Sequence, residues 1–118
     1  MIALLMLLAT ASSAADAEVD ADLRCVAILN AAVARADGDE RTTLVKGAWY
    51  YIGRIDARRS GYDYVTELTA LATGKTGPMP NEADFNRCAK AINARGEDLQ
   101  RVGQALRDLG AKARGETK

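Results

Sequence analysis

The stretch NEADFNRCAKAINARGEDLQRVGQALRDL, residues 81–109, decides the fold class. Phe85, Cys88, Ile92, Leu99, Val102, Leu106 and Leu109 recur in steps of three, four or seven. That is the spacing of one face of an α-helix. Asn93, Glu97, Asp98, Gln100, Arg101 and Arg107 fall mostly off the stripe. Pro80 or Asn81 opens the element, with Glu82 and Asp84 in the first turn, where the helix dipole favours acids. Gly96 and Gly103 interrupt its interior and mark either close packing or a bend. From Gly110 the residues are small and polar, and the helix is expected to fray.

Upstream, Lys75-Thr76-Gly77-Pro78-Met79-Pro80 is a loop, because two prolines forbid helix continuation. Before it, a short helix is expected over Tyr64–Ala72, capped by Asp63 and closed by Thr73-Gly74. Val65, Leu68, Leu71 and Ala72 would face inward. A longer helix is expected from Glu40 to Arg59, with Asp39 as N-cap and Ser60-Gly61 as its end. Leu44, Gly47, Ala48, Tyr51, Ile52 and Ile55 form its apolar stripe. Gly47 and Gly53 cost roughly 1 kcal/mol each against Ala inside a helix. The first helix of the domain is expected from Asp20 or Asp22, either one a cap, to Ala36. Leu23, Val26, Ala27, Asn30, Val33 and Ala34 repeat at helical spacing, and Asp37-Gly38 stops it. The expectation is an all-α domain, four helices around one core, over residues 18–118.

Residues 1–17 have the grammar of a secretory signal peptide. Ile2–Leu8 is a continuous apolar run, and small residues follow from Ala9 to Ala15. Cleavage is expected after Ala14, Ala15 or Ala17. The run is far shorter than the roughly 20 residues that span a bilayer, so the mature chain is expected to carry no membrane span. The other reading of the same residues is a buried N-terminal helix. With the signal, the address is periplasmic or secreted.

The chain has two cysteines, Cys25 and Cys88. In an exported chain an even pair reads as a disulfide. Two cysteines without histidine cannot fill a zinc shell, so the alternative is a pair of free buried thiols. The bond would tie the first helix to the last and, on the chain-entropy account, stabilise by roughly 4 kcal/mol.

The inventory argues against an enzyme and against a cofactor or metal. There is no histidine, the commonest general base and zinc ligand. Ser60 therefore lacks the usual activating partner. The Gly74-Lys75-Thr76 string lacks the upstream glycine and strand of a phosphate loop. Asp56, Asp63 and Glu67 invite comparison with a carboxylate pair. Local roles explain them more simply, with Asp56 paired to Arg58 or Arg59 and Asp63 a cap. Sixteen basic residues balance sixteen acidic ones, so a nucleic-acid partner is not indicated.

The densest feature is aromatic. Trp49, Tyr50, Tyr51, Tyr62 and Tyr64 hold the sole tryptophan and all four tyrosines, interleaved with Arg54, Arg58 and Arg59. Aromatics and arginine are enriched at interface hot spots. Trp49, Tyr50, Arg54, Arg58, Tyr62 and Tyr64 are the candidate contacts for a protein partner. The plainer reading is that the aromatics fill the core and the arginines solvate its rim.

Cys25 in the first helix, the Gly47-Ala48-Trp49-Tyr50-Tyr51-Ile52-Gly53 segment, and Cys88 after a proline loop make a layout. It resembles the HdeA-type acid-stress chaperones and the Tai-type immunity proteins of type VI secretion. The resemblance implies a small exported helical protein that binds other proteins, and no functional residue is carried over from it. The expected function is a non-enzymatic interaction protein, a chaperone, inhibitor or immunity-like binder. The alternative is a small assembly subunit of an envelope complex that docks by its fourth helix.

Overall fold

The computed structural model describes residues 2–115, with side chains described from Ala15 onward. The expected leader over residues 1–17 therefore falls largely outside the described side chains. Four helices follow one another, α1 (Ile2–Val33), α2 (Gly38–Arg58), α3 (Tyr64–Ala72) and α4 (Glu82–Ala113). No strand occurs among the described residues. A disulfide joins Cys25 of α1 to Cys88 of α4. The described chain divides into two units, residues 2–86 and 87–115.

Two helix starts differ from the sequence expectation. Asp20 and Asp22 are not caps, because α1 already runs through them from upstream. The cap of α2 is Asp37 rather than Asp39, with Gly38 at φ 57° turning the chain into the helix. Glycine accepts that left-handed conformation without a Cβ clash. The first helix stops at Val33, and the residues after it form a turn held by Arg35 N–H to Ala32 O at 3.0 Å.

The core of the first unit lies between α1 and α2. Val19, Leu23, Val26 and Leu29 of α1 are buried against Ala48, Tyr51 and Ile55 of α2. Spacings of three and four keep each set on one helix face. The two helices run antiparallel, since Glu18 pairs with Arg58 while Asp22 pairs with Arg54. The third helix adds Leu71, also buried. The bounds of α3 are those expected. Asp63 accepts hydrogen bonds from the backbone N–H and the hydroxyl of Thr66 at 3.1 and 2.7 Å. At the other end Lys75 N–H reaches Ala70 O and Gly74 N–H reaches Leu71 O, with Gly74 at φ 75°. These are the two bonds of a Schellman stop. Val65 and Ala72, expected inside, are exposed.

Arg24 fastens the proline loop and the first turn of α4 to α1. Its guanidinium donates to Asp84 at 2.7 and 3.3 Å, to Pro78 O at 2.6 Å and to Met79 O at 3.3 Å. Asp84 itself accepts from Asn81 N–H at 3.0 Å while Asn81 Oδ1 accepts from Asp84 N–H at 3.1 Å. That reciprocal pair is a capping box with Asp in the acid's place.

The stripe of α4 departs from the four-helices-around-one-core expectation. Cys88 is buried, but Leu99, Val102, Leu106 and Leu109 are exposed. The helix also continues past Gly110 to Ala113 instead of fraying. A helical stripe shows that a face is apolar; it does not show that the chain supplies the cover.

Charge-assisted hydrogen bonds from a largely covered guanidinium predict an uneven outcome. Arg24→Ala should lower unfolding free energy by about 2 kcal/mol. Arg59→Ala, which removes an exposed pair with Asp16, should cost no more than about 0.5 kcal/mol. Urea titration of the two variants checks this, and equal losses would contradict it.

Candidate interaction surface

Arg54, Arg58 and Arg59 are engaged within the first unit. Arg54 Nε donates to Asp22 at 2.9 Å, and Arg58 reaches Glu18 at 2.7 Å and Asp22 at 3.6 Å. Arg59 pairs with Asp16. Asp22 is only 4% exposed, so it requires this charge compensation. Its hydrogen bond, opposed by some burial, raises the pKa of Arg54 above its ordinary value. The Arg54 guanidinium also lies 5.8 Å from the centre of the Tyr50 ring, with Nη1 3.5 Å from the Tyr50 hydroxyl. Tyr50 in turn meets the buried Tyr51 edge-on at 5.0 Å. Tyr50, Arg54 and Arg58 thus form one edge of α2 that faces the carboxylates of α1.

Trp49 lies one residue round the helix from that edge and is 71% exposed. It borders a groove of about 260 Å³ among α1, α2 and α3, lined by Val26, Asn30, Val33, Val45, Ala48, Ile52, Tyr64 and Leu68. A second groove, of about 200 Å³, lies on the other side of α3. Ala27, Ile28, Ala31, Leu71, Ala72, Met79 and Pro80 line it, and Leu68 belongs to both. Among the described residues of the first unit, the exposed large apolar side chains are Trp49, Val65 on α3, and Met79. All three therefore gather around α3.

Tyr64 holds α3 against α2. Its hydroxyl donates to Asp56 at 2.6 Å and lies 3.1 Å from Ile52 O. Asp56 is thus a partner of Tyr64 rather than of Arg58 or Arg59. Tyr62 stacks edge-on against Tyr64 at 5.0 Å. It also lines a third, more polar recess with Asp16, Asp20, Arg59 and Glu67.

The six residues singled out from sequence do not form one patch. Trp49 and Tyr64 share the apolar groove, Tyr50, Arg54 and Arg58 share the charged edge, and Tyr62 joins Tyr64 to the polar recess. Sequence reasoning missed Val26, Val33 and Val45 as groove walls and Met79 as an exposed anchor. It also missed Glu18 and Asp22, whose spacing of four matches that of Arg54 and Arg58. Among the described residues no three His, Cys, Asp or Glu side chains converge to hold a metal ion. No protein family, curated protein or solved structure matches this chain.

Burial first, then the hydrogen bond to Asp56, raises the pKa of Tyr64 well above the ordinary tyrosine value. Burial and then Glu67 raise that of Tyr62. A raised folded-state pKa means stability that is complete below the unfolded value of about 10 and is lost as pH climbs through the folded one. The difference in alkaline absorbance between the protein and Tyr64→Phe should therefore place the Tyr64 transition above pH ~10. A transition at the ordinary value would show that its hydroxyl is not held by Asp56.

Proposed function

We propose that this chain is an exported, non-catalytic protein-binding module whose contact face is the α3 side of the first unit. The disulfide supports export, since such bonds persist in oxidising compartments. No helix among the described residues is long and apolar enough to cross a membrane, which fits a periplasmic or secreted address. The observation that carries the binding face is Trp49, the sole tryptophan, exposed beside an apolar groove. Met79 and Val65 extend that face across α3. Aromatic anchors beside pockets are the usual hot spots of protein interfaces. The arginine edge contributes by rigidity, holding α2 in place so that Trp49 is presented from a fixed backbone. A chaperone, an inhibitor and an immunity-like binder would each use such a face.

Photocrosslinking from position 45, on the groove wall, in cells that make the protein tests this reading. A discrete protein adduct is expected. Trp49→Ala should abolish it while changing stability by no more than about 0.5 kcal/mol, as for an exposed side chain. An adduct that forms undiminished in Trp49→Ala would overturn the assignment of the face.

A further inference from the structure

The second unit carries an apolar stripe that the chain leaves open. Leu99, Val102, Leu106 and Leu109 are between 54 and 72% exposed. Beside them Gly96, Gly103 and Gly110 recur at intervals of seven. Glycine is the least favourable of the residues other than proline inside a helix, and none of the described residues requires it here. A Cβ at Gly96 would meet nothing within 4 Å. At Gly103 and Gly110 it would meet only the flexible guanidinium ends of Arg107 and Arg114, at 3.4 and 3.3 Å. A seven-residue repeat of both apolar and glycine positions suits a second helix lying alongside at close range.

We infer that this helix is α4 of a second copy, running antiparallel. The apolar positions are separated by three, four and three residues, a spacing that reads the same in either direction. An antiparallel copy therefore sets Leu99 opposite Leu109 and Val102 opposite Leu106, twice over about one two-fold axis. The same register brings Gly103 within two residues of Gly103, and Gly96 within two residues of Gly110, of the other copy, along one flank of the seam where no Cβ holds the backbones apart. It brings Asp98 of each copy beside Lys112 of the other. It also places Arg95 against Ala113, near the helix C-terminus, where the dipole favours a cation. A parallel pair would instead set Asp98 on Asp98 and Arg95 on Arg95. The overlap, from Arg95 to Ala113, is about 28 Å long; half the surface of a rod ~12 Å across is then roughly 500 Å² on each copy. The ceiling of roughly 1,000 Å² in total is the size of a small, reversible interface.

Sedimentation equilibrium of the full, disulfide-bonded chain tests the pairing. A reversible dimer is expected. Leu99→Glu should leave a monomer of unchanged helical content, because this side chain is exposed within one chain. Gly96→Ala with Gly103→Ala should raise the thermal midpoint yet weaken the dimer by about tenfold or more. Asp98→Lys should weaken it, and adding Lys112→Asp should restore it, a rescue that fourteen residues of one helix cannot provide internally. A monomer up to millimolar concentration, a dimer that survives Leu99→Glu, or one tightened by the alanines would overturn the inference. Failure of the charge rescue would overturn its antiparallel register.

Discussion

Two neighbouring residues of α1 hold the start of α4. Cys25 is bonded to Cys88, and Arg24 grips Asp84 one turn earlier on the same helix. Both cysteines are wholly buried, and both lie within helices and not on a loop. The guanidinium beside the disulfide collects the carbonyls of Pro78 and Met79, which would otherwise depend on water for partners. The proline loop is thereby fixed at both ends, by the Schellman stop of α3 and by this clamp. Met79 is presented on its groove as a consequence.

The rest of the first unit follows from the α1–α2 hairpin. Apolar faces of matching spacing bury Leu23, Leu29, Tyr51 and Ile55, and the polar edge is closed by carboxylates against arginines. The edge fixes rotation and direction more than it adds stability, because most of its pairs are part-exposed and such pairs are worth little individually. Asp22 is the exception. Its burial makes Arg54 necessary, and a helix whose register is set by a buried charge cannot slide. The tryptophan next to that edge inherits the rigidity.

Much of this was legible in residue order. Asp63 and Thr73-Gly74 mark both ends of α3 because caps and stops act within a few residues. The pairing of Cys25 with Cys88 follows from a leader-like start and an even cysteine count. Three features were not legible, because each depends on residues outside the local pattern that suggested it. Asp22 looks like a cap until the helix is seen to continue upstream of it. Arg54 and Arg58 look like contacts for a partner until α1 supplies their carboxylates. The stripe on α4 looks like core, since periodicity describes a helix face but not what lies over it.

The central claim is that the clamp at Arg24 and Cys25 orders the start of α4, while the α1–α2 hairpin stands on its own packing. Native-state hydrogen exchange on the oxidised protein and on the reduced, alkylated protein measures this directly. The account predicts that reduction strips protection from amides of residues 85–92 and leaves those of residues 23–29 and 51–55 slow. Unchanged protection around Cys88 after reduction, or equal loss in the hairpin, would contradict it.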